Sequence, residues 1–233
     1  MSILPDDNGL DAERGTLAST VYLRIRNDIL EGALRPGEKL RTQHLSRRYE
    51  VGNSPVREAL NRLSSDGLVE REDQRGFRVS TVSKADLMEL VNTRCWLEAV
   101  ALRQSIANGD TAWEEDLVLA FHRFSRVKRS QSDTKYIANP EWDRVHRIFH
   151  MTLLSACGSR YLMTFCEHLF DQADRYRRLG VVAAYPHRDQ VPEHRAIMTA
   201  AMDRDADKAA ELLTAHYNRT AKIIFASDFE FLD

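Results

Sequence analysis

The chain has 233 residues, a formal net charge of −2 and a charged fraction of 29%. Its hydrophobic fraction of 43% is ordinary for a globular protein and excludes a wholly disordered chain. No apolar run approaches the roughly 18 residues that a membrane span requires. Three cysteines are too few for a disulfide framework, so we expect a reduced, cytoplasmic protein without a membrane partner.

The N-terminal part is predicted to begin with a flexible tail over residues 1–16, which are polar, acidic and without periodicity. From Leu17 to Glu31 the apolar residues fall at helical spacing. Gly32 follows, and glycine readily adopts the left-handed conformation that ends a helix. A second, short helix is predicted over residues 42–49 because its apolar residues share one face.

A third helix is predicted to begin at Ser54 and Pro55, since serine is a good N-cap and proline at the first helical position loses no needed hydrogen bond. Its apolar residues recur at i, i+3, i+4 and i+7, whereas its opposite face is polar. Strand candidates at residues 68–71 and 77–80 flank a polar loop of hairpin length. This order of elements predicts a winged helix-turn-helix domain over residues 17–80.

The remainder of the chain is predicted to be helical, with no strand signal after residue 82. A helix from about 84 to 107 is followed by helical segments near 112–130, 141–156, 159–178, 188–203 and 205–226. The predicted fold class is therefore mostly α. A small α/β winged helix-turn-helix is joined by a linker at 81–83 to an all-α antiparallel helical bundle over residues 84–228.

The charge distribution favours nucleic-acid binding by the N-terminal domain. Residues 17–80 carry 12 basic and 9 acidic side chains, although the whole chain is slightly acidic. Arg57 lies on the polar face of the third helix, where an arginine can read guanine or contact phosphate. A basic N-terminal domain in a chain of near-neutral total charge is consistent with DNA binding. The alternative is an ordinary helical subdomain with a solvated basic face.

Several motifs in this domain resemble the GntR family of bacterial transcription regulators. They are the runs PGEKL at 36–40, SPVREAL at 54–60, GLV at 67–69 and RGFRV at 75–79. The resemblance implies a homodimer that binds a palindromic DNA operator, with DNA contacts at Arg41, Asn53, Ser54, Arg57, Arg75 and Gly76. The family commonly has Ser-Arg-Thr before the proline, whereas this chain has Gly52-Asn53-Ser54 and so lacks one arginine there.

Four of the eight histidines predict a metal site in the helical domain. His146 and His150 are four residues apart and share one helix face, while His194 and His216 lie on two later helices. Converging neutral imidazoles suit zinc, nickel or another borderline divalent ion. The alternative is that each histidine is a partly buried core residue. A zinc hydrolase is disfavoured because Arg147 stands where His-Glu-x-x-His has its glutamate base.

The helical domain also resembles the FCD ligand-binding domain of the FadR subgroup. The resemblance is carried by residues 94–98, 146–150, 157–159, 193–194 and 216. In that domain an aspartate and three histidines hold a divalent metal ion. His146 occupies the aspartate position here, and the three other histidines match, which favours zinc or nickel. Asp143 lies one turn earlier, and the sequence leaves two roles open for it: a substitute metal ligand, or a hydrogen-bond partner of a ligand.

The same resemblance implies a small organic acid as effector, bound at the metal and neutralised by arginines. Arg94 matches an arginine of the subgroup and is the first candidate; Arg175 is the second. The alternatives are salt bridges from Arg94 to Glu98 and from Arg175 to Asp171, each at i, i+4. The arginine run from Arg175 to Arg178 is otherwise interpreted as a solvated face.

Together these features predict a dimeric, ligand-responsive transcription regulator, most often a repressor in this family, and not an enzyme. The competing hypotheses are a metal-dependent hydrolase and a direct sensor of metal ions. The sequence leaves the effector, the operator and the direction of regulation open.

Overall fold

The computed structural model describes residues 16–72, 75–184, 188–226 and residue 231. The predicted flexible tail lies outside the described residues except for Thr16, whose side chain caps the first helix. The chain divides into two compact units between Thr81 and Val82. The described residues are mostly helical with one small sheet in the first unit, which confirms the predicted fold class.

The first unit contains three helices and three short strands. Its helices are α1 (Leu17–Leu30), α2 (Thr42–Tyr49) and α3 (Asn53–Ser65). Its strands are β1 (Lys39–Leu40), β2 (Val69–Glu72) and β3 (Gly76–Val79). They form an antiparallel sheet in the order β1-β3-β2. Both predicted strands are present, each shifted by one residue, while β1 was not predicted because two residues carry no periodic signal.

The start of α3 differs from the prediction. The helix begins at Asn53, and Gly52 is its N-cap in an extended conformation without a side-chain cap. Ser54 is therefore not the N-cap. Pro55 is the third helical residue, where the backbone still needs no amide donor. Glu50, with a φ of 58°, makes the tight turn that precedes the helix.

The first unit is built around the apolar stripe of α3. Val56, Ala59, Leu60 and Leu63 are all fully buried and belong to one core with residues of α1, α2 and the sheet. Because one side of α3 is fixed in this core, its opposite side is presented to solvent.

The second unit is a helical bundle. Its helices are α4 (Lys84–Asn108), α5 (Thr111–Arg126), α6 (Pro140–Leu154), α7 (Arg160–Ala184), α8 (Val191–Met202) and α9 (Ala206–Phe225). α4 packs on α7 and α9, α5 packs on α6 and α8, and α8 packs on α9. Three predicted bounds are wrong: α5 ends earlier, α7 ends later and α8 begins later. No helix among the described residues is long and apolar enough to cross a membrane.

Candidate functional site

The six residues predicted to contact DNA are all exposed in the first unit. Asn53 and Ser54 begin α3, and Arg57 lies one turn further along it. Arg41 precedes α2 as its N-cap residue. Arg75 and Gly76 lie at the hairpin, where Gly76 has a φ of 94° that favours glycine.

Not every basic side chain of this unit is equally available to DNA. Arg48 pairs with Asp28 at 2.7 Å, Arg78 pairs with Glu72 at 2.9 Å, and Arg62 lies over the ring of Tyr22. The guanidinium groups of Arg41, Arg57 and Arg75, by contrast, have no ion-pair partner within the described part of the chain. Lack of an ion-pair partner therefore distinguishes the predicted contact arginines from Arg48 and Arg78, which pair within the unit itself.

The four predicted histidines come together in the second unit. His146 and His150 lie on α6, His194 on α8 and His216 on α9, and all four are buried. One ring nitrogen from each lies within 4.8 Å of the others. Four imidazoles that converge from three helices are a donor set that suits a divalent metal ion.

Hydrogen bonds orient three of these rings through Nδ1. His194 donates Nδ1–H to the carbonyl oxygen of Gln190 at 2.7 Å, and His216 donates to Glu193 at 2.9 Å. His150 Nδ1 lies 3.2 Å from the hydroxyl oxygen of Tyr217. Because an imidazole that donates from Nδ1 has its lone pair on Nε2, these contacts set the tautomer suited to binding a cation through Nε2.

The hydroxyl of Tyr217 is oriented in turn by Glu98. Tyr217 donates its hydroxyl proton to the buried Glu98 carboxylate, so its oxygen remains free to accept from His150. Glu98 also accepts two hydrogen bonds from Arg94, at 2.6 and 3.2 Å. A chain of buried contacts thus runs from α4 through α9 to the histidine cluster.

The histidine cluster is electrically neutral at ordinary pH. Burial, followed by the neighbouring imidazoles, lowers the pKa of His146, His150 and His194 well below the usual value. Burial also lowers the pKa of His216, although Glu193 opposes that shift. Burial alone would raise the pKa of Glu193. The hydrogen bonds that Glu193 accepts from His216 and Arg188 outweigh burial and hold this pKa well below its ordinary value. Neutral imidazoles do not have to lose a proton to bind a metal ion.

Asp143, the alternative to His146, is engaged elsewhere. Its carboxylate pairs with Arg177 at 2.6 Å and with Arg178 at 2.9 Å. It does not belong to the converging group of four. His146 instead stacks on Trp142, with ring centroids 4.5 Å apart and an interplanar angle of 13°.

A cavity borders the cluster and contains one of the two predicted effector arginines. It is lined by side chains of α4, α6, α7 and α9, among them Arg94, His146, His150 and His216. Arg94 makes the i, i+4 salt bridge with Glu98 that the sequence left open as the alternative, and its guanidinium lies 4.0 Å from the ring centroid of Tyr217. Arg94 therefore has both a structural role and a place in the cavity wall.

The arginines of α7 are placed differently from the prediction. Arg175 is buried but is not among the residues that line this cavity, whereas Arg177 is. Both are buried, so the interpretation of this run as a solvated face was wrong. The cavity residues Phe170, Ala173, Asp174 and Arg177 are spaced i, i+3, i+4 and i+7. This helical spacing is the signal in the sequence that could have placed Arg177, rather than Arg175, on the cavity face of α7.

The order of the two domains agrees with comparisons with known proteins. Residues 17–79 match the family described as bacterial regulatory proteins, gntR family, and residues 89–219 match the FCD domain. The chain belongs to the GntR family. It is 39% identical to BphR, an uncharacterized HTH-type transcriptional regulator of Paraburkholderia xenovorans (strain LB400), across 90% of this chain and 85% of that protein. A GntR domain followed by an FCD domain makes it a DNA-binding transcriptional regulator.

One further relative supports the assignment to the GntR family, and two solved structures have a similar fold. The chain is 35% identical to the HTH-type transcriptional repressor GlaR of Escherichia coli (strain K12), across 84% of this chain and 90% of that protein. Its fold is similar to that of E. coli McbR/YncC, with a TM-score of 0.69, 20% identity and coverage of 91% and 98% of the two chains. A putative transcriptional regulator GntR from Rhodococcus sp. RHA1 has a TM-score of 0.67 at 24% identity, with coverage of 91% and 99%.

Proposed function

We propose that this GntR-family regulator is a cytoplasmic, homodimeric repressor without enzymatic activity. In this proposal it binds a palindromic operator, and a small organic acid bound at a divalent metal site changes its affinity for that operator. The metal ligands are His146, His150, His194 and His216, and the ion is zinc or nickel. The repressor name of the E. coli relative GlaR supports the direction of regulation.

The observation that carries the metal proposal is that ring nitrogens with lone pairs face each other inside the cluster. His150 Nε2 lies 3.2 Å from His146 Nε2 and 3.1 Å from His194 Nε2. The Nδ1 contacts of His150 and His194 place a lone pair on each facing Nε2, so no proton joins them. Facing lone pairs repel, and a cation that accepts both removes the conflict. The residues present therefore fit a divalent ion.

An all-imidazole ligand set selects the kind of ion. Neutral nitrogen donors favour zinc, nickel or copper over magnesium and calcium, which prefer oxygen ligands. When bound, such an ion supplies a positive charge and a Lewis-acidic position that a carboxylate oxygen can occupy. The protein contributes the orientation of the rings, through Gln190, Glu193 and Tyr217.

The cavity wall provides further positive charge for an acidic effector. Arg94 is fixed by Glu98, and Arg177 is fixed by Asp143 and Asp174. The buried Nη1 atom of Arg177 has no hydrogen-bond partner among the described residues, so it is available as a donor. A fixed guanidinium binds a carboxylate with little loss of side-chain entropy.

The helix at the start of the second unit also forms part of the wall of the proposed effector cavity. α4, which begins just after the boundary at Val82, supplies Leu87, Val91 and Arg94 to the cavity wall. Near its start, Asp86 accepts a hydrogen bond from Tyr176 of α7, the helix that carries Arg177. The effector changes DNA affinity only if it binds two arrangements of these helices with different affinity.

The test is a gel-shift assay with the DNA upstream of the gene for this protein. The full chain is used after loading with zinc and after removal of metal, each with and without a panel of organic acids. We expect DNA binding to persist after metal removal, and an acid to weaken it only in the loaded protein. Loss of DNA binding on metal removal alone would instead support a direct metal sensor. A DNA affinity that no acid changes would contradict the effector proposal.

A further inference from the structure

A second polar cavity lies beside the histidine cluster. It is bounded by residues 124–129 at the end of α5, by Trp142 of α6 and by residues 188–191 at the start of α8. Gln190 borders both this cavity and the one next to the histidines. None of the six DNA-contact residues, the four histidines or the two predicted effector arginines lines the second cavity.

Arg129 is the unusual residue in this cavity. Its Nε and Nη1 atoms are buried and have no hydrogen-bond partner within the described part of the chain. Its guanidinium lies over the ring of Trp142, 5.5 Å from the centroid. Burial, followed by the charge of Arg177, lowers the pKa of Arg129 to about 10, so it remains a cation at neutral pH.

The neighbouring arginines differ from Arg129 in having carboxylate partners. Asp143 and Asp174 both pair with Arg177 and Arg178, which gives two carboxylates for two guanidinium groups. Arg188 pairs with Glu193 at 2.8 Å. Among the described residues Arg129 therefore has no carboxylate within ion-pair distance, although the charge of Asp143 attracts it from further away.

Arg177, which lines the first cavity and not the second, provides a further donor beside the same tryptophan ring. Its guanidinium lies 5.0 Å from the centroid of the same Trp142 ring, and its buried Nη1 atom also has no partner among the described residues. Arg129 is half-buried as a residue, but the donor atoms named above are buried in both arginines. Buried, unsatisfied N–H groups of a cation cost free energy unless an anion accepts from them. Guanidinium groups donate in pairs to carboxylates and phosphates, which satisfies both requirements.

We propose that Arg129 and Arg177 form an oxyanion-binding subsite beside the ring of Trp142. Its ligand is a carboxylate, phosphate or sulfate group that accepts from Nε and Nη1 of Arg129 and from Nη1 of Arg177. The group has two possible sources: a free inorganic anion, or the far carboxylate of a ligand whose first carboxylate lies at the histidine cluster. The subsite itself does not depend on a bound metal ion.

The test measures the melting temperature of the full chain at constant ionic strength, with sodium chloride replaced in part by each probe. The probes are inorganic phosphate, sulfate, acetate and succinate. The inorganic probes are also added to protein stripped of metal with 1,10-phenanthroline, because EDTA itself carries carboxylates. We expect at least one oxyanion to raise the melting temperature by about 3–5 °C at about ten times its Kd.

Two variants connect this response to the subsite. Arg129→Gln removes a charge that has no ion-pair partner among the described residues, so it should lose the oxyanion response while melting no lower than wild type in oxyanion-free buffer. The matched control is Arg123→Gln, which removes an exposed arginine of α5 and should keep the full response. A wild-type protein that no probe stabilises, or an Arg129→Gln variant that responds as strongly as wild type, would overturn the proposal.

The probes also separate the two sources of the anion. Stabilisation of the metal-free protein by phosphate or sulfate identifies a free inorganic anion. Stabilisation by succinate but not by acetate, lost in both Arg129→Gln and His150→Ala, identifies the far carboxylate of a ligand that spans the two cavities. Either result supports the subsite, and the inorganic result does so even if the metal site holds no ion.

Discussion

The Nε2 atoms of His150 and His194 lie 3.1 Å apart, a distance at which one of two nitrogens normally carries the shared proton. Neither does so here, because each ring donates its proton from Nδ1, to Tyr217 and to Gln190 respectively. The protein therefore orients two lone pairs toward each other inside its core. That arrangement is favourable when a cation lies between the acceptors, and it is the physical basis of the proposed metal site.

Tyr217→Phe should weaken metal binding without unfolding the protein. The substitution removes the oxygen that accepts from His150 Nδ1 and fixes that ring. Loss of such a hydrogen bond to a metal-ligating histidine typically costs about 10–100-fold in metal affinity. Zinc affinity is measured by competition with a chromophoric chelator. The control, Tyr161→Phe, changes an exposed tyrosine of α7 and should bind zinc as wild type does; equal affinity in the two variants would contradict the role of Tyr217.

The stability of the metal-free protein should fall as the pH falls below 6.5. Burial lowers the pKa of His146, His150 and His194 in the folded state, whereas the unfolded chain protonates them near 6.5. Below that pH the unfolded state binds more protons, which lowers the free energy of unfolding by up to about 1.4 kcal/mol per pH unit for each group. At higher pH the contribution of these groups is constant.

Urea denaturation between pH 5 and pH 8 measures this dependence. Bound zinc should oppose the loss of stability, because the ion competes with protons for the same nitrogens. His194→Gln should make the slope below pH 6.5 shallower. His122→Gln, which replaces an exposed histidine of α5, should leave the slope unchanged. A flat profile for the metal-free wild type would show that these three rings are not neutral and buried.

Much of the fold could be predicted from the sequence because its signals are local. The stripe of Val56, Ala59, Leu60 and Leu63 identifies the buried face of α3, and Gly32, with a φ of 76°, lies just beyond the end of α1 as expected. Strand β1 could not be predicted, because its two residues are defined by pairing with β3. The end of α7 was placed too early, because the helix continues through Gly180, where an added Cβ would lie 2.7 Å from Cγ1 of Ile224 on α9.

The four histidines of the candidate site could be predicted from the sequence, but the residues that form hydrogen bonds to their rings could not. Histidines at i, i+4 share a face by geometry alone, which is why His146 and His150 stand together. The partners of the rings come from distant positions, for example Glu98, which reaches His150 only through Tyr217. The structure also showed that Arg177, rather than Arg175, lines the cavity, because a helix places residues two apart on different faces.

Arg94→Ala should destabilise the protein as well as affect its response to an effector. Arg94 is the charged partner of Glu98, which is fully buried. Removal of one member of a buried ion pair costs about 3–5 kcal/mol because the other charge is left unpaired. The double variant Arg94→Met/Glu98→Met should recover most of this loss. Chemical denaturation of the three proteins measures it, and an Arg94→Ala protein as stable as wild type would contradict the structural role.

Arg57→Ala should weaken operator binding while the fold is retained. Arg57 is exposed on α3 and has no ion-pair partner within the described residues, so its loss leaves the core of the first unit unchanged. An arginine that reads a base typically contributes about 1–3 kcal/mol to binding. Fluorescence anisotropy with the upstream DNA measures the affinity at fixed salt. The control Arg123→Ala, in the second unit, should bind as wild type does; an unaffected Arg57→Ala protein would remove this residue from the DNA contacts.

The most direct test of the metal site is elemental analysis of the full chain, purified without a polyhistidine tag and desalted after incubation with zinc or nickel. The four converging imidazoles predict about one tightly held divalent ion per chain. The double variant His150→Ala/His194→Ala should retain less than about a tenth of that amount, because two nitrogens alone bind such ions weakly. A wild-type protein that retains no ion, or a double variant that retains as much as wild type, would contradict the proposal that these histidines form a metal centre.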